Sequence, residues 1–281
     1  MTQRKNPKAC GLATEHPTYI IAEIGINHGG SLDTARRLID SAAQTGCDAV
    51  KLQTYLTEKR APKGNQAVFD ILKSCELPLD AFAGLQDHAR AQGLQFFSTP
   101  FDDESVECLE AIGCDLYKVA SFDVVNQALL SRLAATGKPV VMSVGMASAE
   151  ELDEAVGIVR AATEKLVLLN CTSAYPMAEE DANLAALATL QERYDCIVGH
   201  SDHTPDIVVP LYAVAAGAQV IEKHYKIDSA MECVDAPVSI TQEQMARLVS
   251  ETRRVERMLG SGELGLKAAE EGTLPFRRSS R

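Results

Sequence analysis

Residues 196–225 read CIVGHSDHTPDIVVPLYAVAAGAQVIEKHY. The apolar run CIVGHSD (196–202) turns polar at its end, a helical stretch follows, and a second apolar run, QVIEKHY (219–225), turns polar in the same way. Near-continuous apolar runs, rather than strict alternation, suit parallel strands covered on both faces. Two such runs joined through a helix make one βαβ unit, and the fold depends on how often that unit recurs.

It recurs along the whole chain. The earlier runs are TYIIAEIG (18–25), DAVKLQT (48–54), LQFFSTP (94–100), LYKVAS (116–121), PVVMSVG (139–145) and KLVLLNCTS (165–173), making eight in all. Helical stretches lie between them, among them SLDTARRLIDSAAQTG, DDESVECLEAIG, NQALLSRLAATG and SAEELDEAVGIVRAATE, and TQEQMARLVSETRRVERMLG closes the series. Several begin at Ser or Asp and stop at Gly, which are capping signals. Eight βα units in 281 residues predict an α/β protein with a single-domain (β/α)8 TIM barrel. A doubly wound sheet would have fewer strands and a Gly-rich first turn, and EIGINHGG (23–30) does not fit G-x-G-x-x-G. The expected boundaries are an N-terminal extension at 1–17, a catalytic barrel at 18–260, and a loosely held tail or linker start at 261–281. Residues 55–78 form the longest connection, and long loops after barrel strands lie over the active site.

A net charge of −12 argues against nucleic acid and anionic membrane as partners, while leaving room for a small anionic ligand. No apolar run nears the roughly 18 residues a membrane span needs, and the first 20 residues lack an apolar signal core. The expected location is the cytoplasm. The eight cysteines are scattered with no C-x-x-C, so they are read as reduced core residues.

In a barrel, the C-terminal strand ends form the active-site face. Glu23 stands near the end of the first strand, Lys51 and Gln53 in the second, Thr99 in the third, and Lys118 and Ser121 in the fourth with Asp123 after them. Ser143, Tyr175, Ser201, His203 and His224 follow at later ends. Barrels have no edges, so Lys51 and Lys118 within apolar runs are buried cations that call for an anion. With the hydroxyls of Thr99, Ser121, Ser143 and Ser201 they describe a phosphate or carboxylate pocket. Two of the six histidines fall in GHSDHT (199–204). Such a hexapeptide is either a capping loop or a metal or anion site. Neighbouring strands are about 4.8 Å apart, so His203 and His224 at adjacent ends can share one exchangeable Mn2+, Zn2+ or Co2+, completed by waters and substrate oxygens.

In order, AEIGINHGGS, VKLQT, FFSTPF, YKVAS, SVGM, CTSAYP, GHSDHT and IEKHY resemble the N-acetylneuraminate (sialic acid) synthase family over roughly residues 18–260. The resemblance implies condensation of phosphoenolpyruvate with an aldose, an amino sugar such as N-acetylmannosamine or a relative, to give a nonulosonic 2-keto acid and phosphate. It implies Lys51, Thr99, Lys118, Ser121, Ser143 and Ser201 as phosphoenolpyruvate contacts, and Ser173 where some members have asparagine. His203 and His224 match the metal ligands, for Mn2+ foremost, with Mg2+, Co2+ or Zn2+ as alternatives. Glu23 matches an acidic active-site residue, and Gln53, Asn65, Tyr175 and Asp235 match positions lining the sugar site. Proton transfer falls to Glu23 or to Asp123, which stands where some members have glutamate. The segment SAMECVDAPVSI (229–240) replaces a Pro-Gly-Pro-Asp run beside the sugar site, so the resemblance carries the reaction further than the sugar's identity.

In that family an antifreeze-like domain follows the barrel and covers the partner's site in a swapped homodimer, bringing an arginine to the sugar's acyl group. The sequence offers no residue in its place. The expected partners therefore include a homodimer or a separate antifreeze-like chain, and the isolated chain should bind the acceptor weakly or take an acceptor that lacks the N-acyl group. The rivals are a condensing enzyme of the octulosonate or heptulosonate type, acting on a sugar phosphate, and a catalytically idle sugar-binding barrel.

Overall fold

A computed structural model describes residues 5–278. The eight apolar runs pair in parallel, in chain order, and the last pairs with the first to close a barrel. The strands are β1 (Tyr19–Gly25), β2 (Ala49–Thr54), β3 (Gln95–Pro100), β4 (Tyr117–Val119), β5 (Val140–Ser143), β6 (Leu166–Cys171), β7 (Ile197–Asp202) and β8 (Val220–His224). Each begins one residue after the run that predicted it. β4 stops early because the chain turns into a 3-10 turn at Ser121–Asp123.

Eight outer helices follow their strands: α1 (Leu32–Ala43), α4 (Ala81–Ala91), α5 (Asp103–Ala111), α6 (Gln127–Ala134), α7 (Ala149–Arg160), α8 (Ala186–Tyr194), α9 (Val208–Ala215) and α10 (Gln242–Leu259). Side-chain caps start several of them. Asp102 Oδ1 accepts from Ser105 N at 2.8 Å before α5, and Ser148 with Glu151 and Thr241 with Gln244 form capping boxes at α7 and α10. Val, Leu and Ile of the strands fill the core against the inner faces of these helices. All eight cysteines are free, and Cys47, Cys75, Cys114, Cys171 and Cys196 are buried.

The long connection after β2 is not a bare loop. It carries α2 (Thr57–Arg60) and α3 (Gln66–Cys75), which cover one side of the barrel mouth. Ile26, Tyr55, Leu72 and Cys75 form a small separate core beneath them, with Phe101 packed alongside. Tyr55 Oη donates to Leu72 O at 2.9 Å. Gly30 has φ 74°, and a Cβ there would lie 2.5 Å from Ser74 O, so only glycine lets α3 seat this closely.

The described part of the N-terminal extension seals the opposite end of the barrel. Leu12 is buried there, Gln95 Nε2 donates to Gly11 O at 3.0 Å, and Gln219 Oε1 accepts from Lys5 N at 3.1 Å. Beyond α10, the 3-10 segment Ala268–Phe276 buries no residue. The ends of both terminal segments, 1–4 and 279–281, lie outside the described residues.

Candidate active site

The hexapeptide GHSDHT does two jobs, because successive strand residues face opposite sides. Ser201 and His203 line the barrel mouth. His200 and Asp202 face the other way and meet Lys223 of β8. Asp202 Oδ2 lies 2.6 Å from Lys223 Nζ and Oδ1 3.2 Å from His200 Nε2, all three side chains being fully buried. Thr204 Oγ1 donates to Asp202 at 2.6 Å. Burial alone would raise the Asp202 carboxyl, but His200 and Lys223 hold it well below the usual range. This network joins β7 to β8 from behind the site.

The mouth holds a cavity of about 220 Å³. Lys51 and Lys118 stand in it with a carboxylate between them: Lys51 Nζ is 3.7 Å from Glu222 Oε2, and Lys118 Nζ is 3.7 Å from Glu222 Oε1. Lys51 also lies 2.9 Å from Glu23 Oε2 and donates to Thr99 Oγ1 at 3.1 Å. Lys118 donates to Ser143 Oγ at 2.7 Å, and Ser201 Oγ donates to Glu222 Oε1 at 2.9 Å. The sequence reading that these lysines need a bound anion to stay buried is corrected here. Glu222 and Glu23 already compensate them: Glu23 pairs in register with Lys51 across β1 and β2, and Glu222 reaches between the two ammonium groups from β8.

The two carboxyls are driven apart. Burial pushes Glu23 up, with Lys51 opposing. Glu222 is equally buried, but Lys118 and Lys51 overcome that burial and bring it down to about 2. Burial lowers Lys118, whereas on Lys51 it is outweighed by Glu222 and Glu23, which raise it.

Beside Lys118 the backbone makes room for an anion. Gly145 N donates to Ser121 Oγ at 3.1 Å. A Cβ on Gly145 would lie 2.8 Å from Cys171 O, 2.8 Å from Ser173 Oγ and 2.9 Å from Ser121 Oγ. Ser173 Oγ is buried without a partner. Hydroxyls from β5 and from the segments after β4 and β6 thus converge on one cradle.

Across the mouth, the His203 and His224 rings lie 5.4 Å apart, and Tyr175 stacks on His203 at 4.1 Å. His203 Nδ1 donates to Thr172 O at 2.8 Å, which leaves Nε2 with its lone pair free. Burial, helped by His224, drops His203 to about 4, so this ring is neutral at physiological pH, as a metal ligand must be. His224 Nδ1 lies 3.4 Å from Asp235 Oδ2, outside hydrogen-bond geometry. That carboxylate raises His224 against its burial. Among the described residues no cluster of three or more His, Cys, Asp or Glu is set to hold an ion alone. The pair therefore fits an open site of two nitrogen donors, completed by waters or substrate, and not a closed structural one.

The cavity brings together Glu23, Lys51, Gln53, Thr99, Lys118, Ser121, Ser143, Tyr175, Ser201, His203, His224 and Asp235, with Ser173 just behind Gly145. It does not include Asn65, which is exposed and caps α3 by accepting from Val68 N at 3.2 Å. Nor does it include Asp123, whose carboxylate accepts from Asn126 Nδ2 at 2.9 Å on the 3-10 turn after β4. Among the lining residues to which the sequence reading gave no role are Glu222, Arg60 and Phe101. Glu222 was recoverable, since it lies two residues before His224 and shares its face. Arg60 sits in the irregular connection, where no periodicity marks it.

Residues 38–264 match the NeuB family. The chain belongs to that family. It is 36% identical over 277 residues to the N,N'-diacetyllegionaminic acid synthase of Legionella pneumophila, covering 92% of this chain and 77% of that protein. It is 35% identical over 260 residues to the human N-acetylneuraminate-9-phosphate synthase, covering 88% and 72%. The crystal structure of an N-acetylneuraminic acid (sialic acid) synthetase from Leptospira borgpetersenii serovar Hardjo-bovis in complex with citrate superposes with a TM-score of 0.90 at 40% identity, covering 93% of this NeuB family chain and 92% of that one.

Proposed function

We propose that this protein condenses phosphoenolpyruvate with an aldose to form a nonulosonic 2-keto acid and phosphate, with residues 18–260 as the catalytic unit. One observation carries the reading: two buried lysines and a hydroxyl cradle share one small cavity with a pair of histidines whose ring nitrogens are available. The lysines and hydroxyls suit the phosphate and carboxylate of phosphoenolpyruvate, and the synthase relatives make sugar acids of this class. No helix among the described residues is long and apolar enough to cross a membrane.

In the reaction, C3 of phosphoenolpyruvate forms a bond to the aldehyde carbon, whose oxygen takes up a proton. Water adds at C2 and loses its protons as the C2–O bond to phosphate breaks, leaving the 2-keto group. Lys51 and Lys118 hold the anionic substrate and offset the charge on the departing phosphate. Glu23 is the proton carrier we assign, because it lines the cavity with a raised pKa while Glu222 stays ionised. Asp123 stands outside that wall. Tyr175, Gln53 and Asp235 line the sugar end of the cavity. When bound at His203 and His224, a divalent metal, Mn2+ in our proposal, supplies Lewis acidity toward the aldehyde oxygen. Phe122, Met146 and Tyr175 are exposed apolar side chains after β4, β5 and β6. They support a cap from a second polypeptide, a partner copy or an antifreeze-like chain, as part of this proposal.

The test is phosphate release from phosphoenolpyruvate with Mn2+ across a panel of free and phosphorylated sugars. Acceptor-dependent release supports the reading, and its absence with every sugar contradicts it. Lys118→Met is expected to weaken phosphoenolpyruvate binding by about one to two decades, the loss of one charge-assisted contact worth about 1.5–3 kcal/mol. Calorimetry should find sugar binding nearly unchanged. Gly145→Ala places a Cβ against Cys171 O and the two serines. Such overpacking costs about 1–3 kcal/mol, and it should appear as a lower melting temperature together with a raised phosphoenolpyruvate Kd.

A further inference from the structure

We infer that Arg60 is a specificity-determining residue for the second substrate, donating to a carbonyl or phosphate oxygen of the sugar at the mouth of the cavity. The inference rests on the condensation reading above. Arg60 ends α2 and lines the cavity. Its guanidinium carbon lies 4.4 Å from the Tyr55 ring centre and 3.9 Å from that of Phe101. The two rings meet edge to face at 6.3 Å. Cation–π contact of this kind fixes the plane of the guanidinium.

Arg60 Nη1 is closed off from solvent, so a ligand in the cavity that Arg60 lines meets the other N–H groups of the guanidinium. Asp235, Asp123 and Glu23 act on Arg60 only through space, and no described carboxylate forms an ion pair with it. The surrounding structure keeps the side chain from swinging away, because Tyr55 is tied to Leu72 and α3 is seated on Gly30.

Position decides which substrate it meets. Tyr55 follows β2 and Phe101 follows β3, so Arg60 stands on the β2–β3 side of the mouth. Tyr175 and His203 follow β6 and β7, four places round the barrel. Lys51 and Lys118 lie deeper, within strands, and with the cradle at Gly145 they account for the charges of phosphoenolpyruvate. Arg60 is left facing the space above them, between the two walls, where the second substrate has to lie.

The test uses the whole chain. Calorimetric titrations with N-acetylmannosamine, N-acetylmannosamine 6-phosphate and mannose are run on the wild type, Arg60→Met and Arg60→Lys, beside a phosphoenolpyruvate titration. Arg60→Met keeps the stem against the two rings, and a thermal melt confirms its fold. Arg60→Lys, with the charge kept, carries the test if the Met variant does not fold. The expected result is a loss of about 10–100-fold in sugar affinity, with phosphoenolpyruvate affinity within about two-fold of wild type. In turnover the loss should fall on the sugar KM and not on kcat. A loss shared by the two N-acetyl sugars and absent with mannose identifies the acyl carbonyl, and one confined to the 6-phosphate identifies the phosphate. Unchanged sugar affinity, an equal loss toward phosphoenolpyruvate, or no saturable binding of any of the three sugars by the wild type would overturn the inference. Wild-type phosphate release reports on the condensation reading separately.

Discussion

The double variant His203→Ala, His224→Ala should keep its barrel and lose about three decades of kcat or more. Lewis acidity at a carbonyl oxygen is worth several kcal/mol, and about 4 kcal/mol is a factor of a thousand in rate. The fold should survive because neither ring belongs to the hydrophobic core, and the contacts His203 Nδ1 makes behind itself, to Thr172 O and Cys171 Sγ, are local. The measurement is metal content after dialysis against Mn2+, read beside kcat and far-ultraviolet circular dichroism. Mn2+ held at wild-type stoichiometry by the double variant would remove these histidines from the metal assignment.

The largest stability effect should come from a residue that touches no substrate. Asp202→Ala leaves Lys223 buried with its anionic partner gone, and breaking a buried pair costs about 3–5 kcal/mol. Its neighbour Ser201 would follow the displaced strand, so activity should fall as well. The sign with pH is fixed by the depressed carboxyl. A group whose folded pKa lies below its unfolded value contributes stability that is complete above the unfolded pKa, near 4, and fades as pH drops toward the folded one. Urea unfolding should therefore show the full difference between wild type and variant at pH 7, and a shrinking difference in acid. Equal stability at pH 7 would mean that the pair does not hold β7 to β8.

The barrel was legible because its signals repeat. Eight apolar runs with polar C-terminal ends leave few other ways to bury both faces of each strand. The inward set on those strands followed from the period of two and the polar strand ends, which bring Lys51, Lys118, His203 and His224 to one mouth. What the sequence hid was compensation between distant strands. Glu222 lies 171 positions from Lys51 in the chain yet meets it in the barrel, so the lysines looked unpaired when they were not. Asn65 and Arg60 show the other gap. Both belong to the connection after β2, where no strand register points a side chain, and there the structure puts Asn65 outside the cavity and Arg60 in it.

The central claim is the joining of phosphoenolpyruvate to a sugar with cleavage of its C2–O bond. Phosphoenolpyruvate labelled with 18O in the bridging oxygen tests it most directly, incubated with N-acetylmannosamine, Mn2+ and the full chain, and followed by mass spectrometry. The account predicts one 18O in the released phosphate and an unlabelled nine-carbon 2-keto acid formed in equal amount. Phosphate release that yields pyruvate, or that proceeds at the same rate without any sugar, would contradict it.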